Sequence, residues 1–173
     1  MSKLKPPVNS SDHIQGNANA PVELVEYGDY QCSHCGRAYP IIKRIQQQMG
    51  NQLKFVFRNF PLAESHPDAM NAALAAEAAA LQGKFWQMHD IIYENQQALQ
   101  EEDLMNYAAQ IGLDEDQFAA DFGKEEVEQK VEDDFESGVR SGVNGTPSFF
   151  INGEKYNGNW DEETLLQHLS SMV

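Results

Sequence analysis

Two segments rich in β-branched and aromatic residues flank one stretch of helical periodicity, and this order restricts the fold more than any other feature. Apolar residues nearly alternate in VELVEYGDY after Pro21 and in LKFVFRNF from Leu53 to Phe60, which predicts two strands. The intervening IIKRIQQQMGN has helical spacing and stops at Gly50-Asn51. A strand, a helix and a strand of this length predict a right-handed parallel crossover, and therefore an α/β fold.

The middle of the chain has helical patterning. HPDAMNAALAAEAAALQ consists largely of strong helix formers, and four further segments have apolar residues at helical offsets. The last of them predicts an apolar stripe at Val127, Val131, Phe135 and Val139. Strand patterning returns after Gly145 with PSFFI, an Asn-Gly hairpin signal and EKYNG, and DEETLLQHLSSMV predicts a terminal helix. The helices therefore form an all-helical insertion in a βαβ…ββα frame.

Charge is strongly negative and concentrated in the helical block. The chain of 173 residues carries 12 basic and 27 acidic side chains, a net charge of −15, and residues 61–145 hold 19 of the acidic ones. This balance argues against nucleic-acid and anionic-membrane partners, which need clustered Lys and Arg. The best candidate for a membrane span, Ala72 to Leu81, is too short and is interrupted by Glu77, so we expect no span.

The N-terminus does not have the pattern of a secretion signal. Two lysines stand in MSKLKPPVNSSDHIQGNANAP, but no apolar segment follows them. We therefore expect a cytoplasmic protein. The alternative is a periplasmic or extracellular protein whose signal peptide has been removed.

The only two cysteines, Cys32 and Cys35, form C-S-H-C directly after the first predicted strand and at the start of the predicted helix. A helix N-terminus offers unpaired amide N–H groups that stabilise a thiolate at Cys32, and the thiolate is the nucleophile. Because the spacing is about one helical turn, Cys35 can attack a mixed disulfide at Cys32 and release the partner. His34 can add a positive charge or a hydrogen bond that favours the ionised, reduced form. The motif predicts thiol–disulfide exchange.

A zinc site and a purely structural disulfide are the alternative interpretations of this motif. Four-coordinate zinc needs two further ligands, and no second C-x-x-C or H-x₃₋₅-H pair occurs. A disulfide that closes so short a loop adds little stability, since the effect grows with loop length. The other histidines, His13, His66, His89 and His168, have no neighbour at ligand spacing, so we expect surface or core residues. Gly-rich phosphate loops are also absent, and the sequence implies no metal and no organic cofactor.

Four separated segments resemble the DsbA-like family of thioredoxin-fold thiol–disulfide oxidoreductases and follow the order found in that family. They are EYGDYQCSHC, FRNFPL, GKFWQMHDIIYENQ and SGVNGTPSFFING, and the resemblance extends from Ala20 to Trp160. With this fold we expect an N-terminal extension over residues 1–20, a thioredoxin-like domain over 21–62 and 140–173, and a helical insertion over 63–139.

The resemblance also implies roles for single residues. Cys32 is then the exposed nucleophile and Cys35 the buried resolving thiol. Thr146-Pro147 is implied to be a cis peptide facing the two sulfurs, where Thr146 pairs with an extended substrate strand. Gly145 fits a close approach at that place.

Two further positions bear on the chemistry. Glu26 lies six residues before Cys32, where family members carry a buried acid that assists proton transfer during exchange. The alternative is an edge-strand glutamate exposed to water. Ser33 departs from the family, which often has proline after the first cysteine, and this leaves the strength of oxidation open.

The predicted function is disulfide exchange with cysteine-containing protein substrates, as an oxidase, a reductase or an isomerase. A separate redox partner would regenerate the pair, and we expect a monomer. The alternative is a redox-inactive peptide-binding or chaperone module that uses the edge at Thr146-Pro147, although an intact C-x-x-C at a helix start disfavours it. A glutathione-dependent enzyme on a related fold is a third possibility and would not need Cys35.

Overall fold

A computed structural model describes residues 2–173, which form one five-stranded mixed sheet and seven α-helices. The strands are β1 (His13–Gly16), β2 (Val22–Gly28), β3 (Leu53–Asn59), β4 (Ser148–Ile151) and β5 (Glu154–Tyr156). The helices are α1 (Ser33–Met49), α2 (Ala69–Ala80), α3 (Phe85–Tyr93), α4 (Glu101–Gln110), α5 (Glu115–Phe122), α6 (Glu125–Arg140) and α7 (Glu162–Ser170). The predicted α/β frame with helices between its second and third expected strands is confirmed.

The sheet has the order β1-β3-β2-β4-β5. β2 and β3 are parallel and are connected through α1, as the crossover predicts, whereas the other neighbouring pairs are antiparallel. β4 and β5 form the predicted hairpin, in which Asn152 and Gly153 have φ values of 48° and 85°. Positive φ at both central residues is the geometry for which Asn-Gly is preferred. β2 therefore lies at the centre of the sheet and carries the chain directly to Cys32.

The N-terminal extension belongs to the sheet, and β1 has no counterpart among the predicted strands. β1 pairs antiparallel with β3, with His13 opposite Phe57. At the opposite edge the Leu4 amide donates to the Gly153 carbonyl at 2.8 Å, and the Leu4 side chain is buried. The extension thus contacts both edges of the sheet. HIQG is too short for a clear alternation, so only its distant partner shows that it is a strand.

The alternation of side chains along β2 separates two apolar clusters. Val25 and Tyr27 belong to the smaller cluster, whereas Leu24 faces the larger one, which includes Ile42 and Ile45 of α1. Since successive strand residues face opposite sides, Glu26 points to the same side as Leu24. The central strand therefore places one carboxyl group in the core beneath α1.

The predicted apolar stripe of α6 is correct at Val131 and wrong at Val139, which is 56% exposed. In the last turn of α6 the buried residues are Ser137 and Gly138. A Cβ atom on Gly138 would lie only 2.6 Å from the Phe60 ring. The helix therefore approaches the sheet through a glycine, and this contact turns Val139 toward solvent.

Candidate active site

The two cysteines lie at the N-terminal end of α1. Cys32 is the N-cap residue, Cys35 lies in the first turn, and both are free thiols. Cys35 is fully buried and Cys32 is 6% exposed. Cys32 is therefore less exposed than expected, and the carbonyl oxygen of Thr146 lies 3.7 Å from its sulfur. Cys32 is still the more accessible of the two.

Hydrogen bonds make the two thiols unequal acids. The pKa of Cys32 is lowered to about 5, first by a hydrogen bond from the Cys35 thiol and further by Thr146 and the backbone N–H groups of Cys35 and His34, against the opposing effect of burial. The pKa of Cys35 is raised well above its ordinary value by burial, by its bond to Cys32 and by the charge of Glu26. At neutral pH the pair therefore holds one thiolate, at Cys32, and one thiol, at Cys35.

His34 is exposed, and its backbone amide contributes to the thiolate. Its imidazole forms no hydrogen bond with any residue from 2 to 173. The backbone N–H groups at the start of α1 thus stabilise the Cys32 thiolate, as the motif predicts. The predicted electrostatic role of the imidazole stays a prediction.

Glu26 is buried in the central strand, which excludes the alternative of an exposed edge-strand residue. It is 3% exposed, and its Oε2 atom has no hydrogen-bond partner among residues 2–173. Burial, together with the charge of Cys32, raises the pKa of Glu26 to about 8. Glu26 and Tyr93 line a narrow cavity of about 10 Å³, which is the lower limit for one water molecule. A carboxyl group that changes protonation near neutral pH thus lies in the core near the redox pair.

The loop before β4 forms the other wall of the site. The peptide bond between Thr146 and Pro147 is cis, as the resemblance implies. The Thr146 hydroxyl is buried and bonds to no other oxygen or nitrogen atom in the described chain, although it lowers the pKa of Cys32. A Cβ atom on Gly145 would meet no described atom within 4 Å, so the space beside it is open.

Asp29 is a site residue without a counterpart in the predictions. Its backbone N–H donates to the sulfur of Cys35 at 3.5 Å. Its buried carboxylate accepts from the amides of Gln31 and Leu62 at 2.8 and 2.9 Å, and His66 Nδ1 lies 2.7 Å from Oδ2. Asp29 stands in the segment EYGDYQCSHC, so its position beside the motif was the available signal. Its partners Leu62 and His66 come from the loop after β3, which no local pattern could identify.

Three of the other histidines, His13, His66 and His89, have polar side-chain partners that are distant in sequence, whereas His168 is exposed. His13 Nε2 lies 2.8 Å from Glu77 Oε1, and His89 Nδ1 lies 2.9 Å from the Tyr30 hydroxyl. His89 is buried and is therefore a core residue, which is one of the two environments expected for it. Burial lowers its pKa well below the ordinary value. Within residues 2–173, His, Cys, Asp and Glu side chains form no cluster of three that is arranged to hold a metal ion.

Curated relatives of similar sequence are much longer proteins. The Na(+)/H(+) antiporter NhaA 1 of Mycolicibacterium vanbaalenii is 40% identical over 173 residues, which cover 99% of this chain and 28% of the antiporter. The antiporter NhaA of Herminiimonas arsenicoxydans is 40% identical over 163 residues, 94% of this chain and 26% of its own length. The chain thus spans less than a third of these antiporters. Across residues 2–173, no helix combines the length and apolar character needed to cross a membrane.

Solved structures and a family model agree on the fold. A thioredoxin-like oxidoreductase from Silicibacter pomeroyi has a TM-score of 0.84 at 26% identity and covers 94% of this chain and 92% of its own. The thiol-disulfide exchange protein α-DsbA2 from Wolbachia pipientis has a TM-score of 0.85 at 24% identity, covering 95% and 89%. BdbD from Bacillus subtilis has a TM-score of 0.84 at 23% identity, covering 99% and 97%. The fold is therefore the one these structures share, and because a thioredoxin family model matches residues 8–170, the chain belongs to the thioredoxin family.

Proposed function

We propose that this protein exchanges disulfides with cysteine-containing protein substrates through Cys32 and Cys35. The observation that carries the proposal is the inequality of the two thiols, with the pKa of Cys32 lowered to about 5 and that of buried Cys35 raised. A thiolate is required for attack on a disulfide, and a low-pKa thiol also leaves faster. Cys32 is therefore assigned to the attack on substrate and Cys35 to its release.

In the oxidising direction, a substrate thiolate attacks the Cys32 sulfur of the Cys32–Cys35 disulfide. The S–S bond breaks, Cys35 leaves with the electron pair, and a mixed disulfide joins the substrate to Cys32. A second substrate thiolate then attacks the substrate sulfur of the mixed disulfide and releases Cys32 as a thiolate. Two electrons have then passed from the substrate to the cysteine pair, and the reducing direction is the reverse sequence.

Glu26 is proposed as the group that exchanges a proton with Cys35. Cys35 must lose its proton before it attacks a mixed disulfide, and it must regain one after it leaves. A pKa of about 8 lets Glu26 act in both directions near neutral pH, because efficient general acids and bases titrate near the working pH. Its unpartnered Oε2 atom is available for that proton.

The loop from Gly145 to Pro147 is proposed as the substrate-binding edge. The Thr146 carbonyl lies beside the Cys32 sulfur, and the space next to Gly145 is open. An extended peptide in that space would have its cysteine next to Cys32. His34, which is exposed, is proposed to favour the thiolate by its charge when it is protonated.

The direction of net electron flow is proposed to follow the compartment. A stabilised Cys32 thiolate favours the reduced pair, which makes the disulfide a stronger oxidant. In a glutathione pool at roughly −220 mV or lower such a pair is held reduced and serves reduction or isomerisation, whereas in an oxidising compartment it forms disulfides. Acid trapping of whole cells followed by thiol alkylation measures which state the pair has.

Dithiothreitol-driven reduction of insulin, with single cysteine variants, tests the proposal. We expect the wild-type protein to accelerate the reaction, Cys32→Ser to abolish the acceleration, and Cys35→Ser to accumulate mixed disulfides. Iodoacetamide at neutral pH should modify Cys32 much faster than Cys35. Equal insulin rates with and without the wild-type protein would contradict exchange and favour a redox-inactive binding module. Retained activity in Cys35→Ser would favour a glutathione-dependent enzyme.

A further inference from the structure

A glutamine of the helical insertion contacts the backbone of the redox motif. Gln96 lies between α3 and α4, and its Nε2 atom is 2.9 Å from the carbonyl oxygen of Tyr30 and 2.9 Å from that of Cys32. The two carbonyls belong to the turn that leads from β2 into α1. One side-chain amide of the insertion therefore holds both ends of the segment that contains the nucleophile.

The orientation of this amide follows from its partners. Backbone carbonyls only accept hydrogen bonds, so the NH₂ group of Gln96 must face Tyr30 and Cys32. Its Oε1 atom then points at Gly36, where an added Cβ atom would lie only 2.0 Å away. The amide therefore rests directly on the backbone of the first turn of α1.

Gly36 leaves room for the Gln96 side chain in this position. Its φ lies outside the left-handed region, and it occupies a helical position where alanine is the stronger helix former. The chain keeps the weaker helix former at the position that the Gln96 side chain covers. Gly36 also donates its N–H to the Cys32 carbonyl at 3.0 Å, so this carbonyl has two donors.

We infer that Gln96 is a positioning residue that fixes the orientation of the Cys32 peptide and thereby the reactivity of its sulfur. The thiolate depends on the backbone N–H groups of His34 and Cys35, which follow directly from that peptide. Rotation of the turn would move these donors away from the sulfur. The inference rests on the exchange activity proposed above and adds that the helical insertion controls the redox pair through one side chain.

Variants at position 96 test this inference, with exposed Gln97→Ala as the matched control. Gln96→Ala removes the donor, and Gln96→Glu keeps the shape but presents a carboxylate to the two carbonyls. Thiolate absorbance at 240 nm across pH should give a higher Cys32 pKa in both. The equilibrium with glutathione should shift about threefold to tenfold toward the disulfide, the size expected for lost hydrogen bonds. Gln97→Ala should match the wild type in both measurements.

Gly36→Ala tests the same contact by changing the α1 residue that the Gln96 side chain covers. The added methyl displaces Gln96, so this variant should shift the thiolate titration in the same direction, and Gly36→Ala/Gln96→Ala should add little to either single change. Thermal unfolding of Gly36→Ala shows whether the change in the Cys32 pKa accompanies a loss of stability.

Two results would overturn the inference. One is an unchanged titration and glutathione equilibrium in Gln96→Ala and Gln96→Glu, whatever their thermal stability. The other is an equal change in Gln97→Ala. Both measurements need only the protein and glutathione, so a wild type that fails to accelerate insulin reduction contradicts the proposed function separately.

Discussion

Glu26 and Glu77 are almost equally buried, yet their polar surroundings are opposite. They are 3% and 4% exposed. Glu26 lies in the central strand near the redox pair, and its Oε2 atom has no partner among the described residues. Glu77 on α2 lies 2.8 and 2.9 Å from His13 Nε2 through its two oxygens, and it accepts from the Asn59 amide at 2.8 Å.

The partners decide the direction in which burial shifts each pKa. At Glu26 burial acts with the charge of Cys32, and the pKa is raised to about 8. At Glu77 burial acts in the same direction, but the hydrogen bond and charge of His13, the charge of Lys130 and the Asn59 hydrogen bond together outweigh it, and the pKa is lowered. Glu26 is thus a neutral acid at neutral pH, whereas Glu77 is a carboxylate.

The contrast separates a structural carboxyl group from a chemical one. Asn59 also donates to Asp134 at 2.9 Å, so Glu77 belongs to a network that joins β1, β3, α2 and α6. Both oxygens of Glu77 have partners in this network, whereas the buried Oδ1 atom of Asn59 has none among the described residues. A buried acid without partners lowers the stability of the fold, and this cost is typical of a site that must gain and lose a proton.

The largest expected effect is the pH dependence that Glu26 imposes on stability. In a Cys32→Ser/Cys35→Ser background, which removes the thiol titrations, we compare Glu26 with Glu26→Gln. Below the ordinary pKa of 4.5 both the folded and the unfolded chain hold the proton. Above it only the folded chain does, up to a folded-state pKa that burial still raises but that lies below about 8, because the charge of Cys32 is absent in this background. Stability should therefore fall as pH rises through this range, by at most about 5 kcal/mol, and level off above it.

Denaturant unfolding from pH 4 to pH 9 measures this difference. The free energy of unfolding of the Glu26→Gln protein should not decline over this range. The Glu26→Gln protein should therefore become increasingly more stable than the Glu26 protein as pH rises. A stability difference that stays constant across the range would mean that Glu26 ionises in the folded chain as it does in water. Glu26 would then be ionised at neutral pH, as Glu77 is, and it would have no proton to give.

Glu77→Ala should give the next largest effect, with the opposite sign. The substitution leaves His13 and Asn59 without their acceptor in the core, and breaking a buried charged pair costs about 3–5 kcal/mol. Glu132→Ala, on the exposed face of α6, is the matched control and should change stability by less than about 0.5 kcal/mol. Urea unfolding at pH 7 measures both. Similar values for the two variants would show that the network does not stabilise the fold.

Local patterns predicted the elements that have local causes. The parallel crossover, the Asn152-Gly153 hairpin and the helices between β3 and β4 all follow from periodicity and turn chemistry within one segment. The cysteine pair at the start of α1 was predictable for the same reason. The buried position of Glu26 came from the resemblance to a family, since alternation along one strand does not show which face is covered.

Contacts between distant segments could not be predicted. β1 is a strand because it pairs with β3, the Asp29 carboxylate has His66 of another loop as a partner, and Gln96 contacts residues more than sixty positions away. Val139 shows the reverse case, since a good helical pattern fails where the helix approaches the sheet through Gly138. In each case tertiary packing, which no single segment encodes, decides the outcome.

The smallest expected effect comes from Glu23, which shares β2 with Glu26. Its Oε2 atom lies 3.1 Å from Lys54 Nζ on β3, and the two side chains are 22% and 16% exposed. The pair is partly solvated, so Glu23→Gln should cost less than about 1 kcal/mol, and the cost should shrink in high salt. Unfolding in low and high salt, repeated from pH 4 to pH 9, measures this. If the stability that Glu23 contributes declined with pH as expected for Glu26, the position on β2 would set the pKa of a carboxyl group there. The lack of a polar partner would then not explain the raised pKa of Glu26.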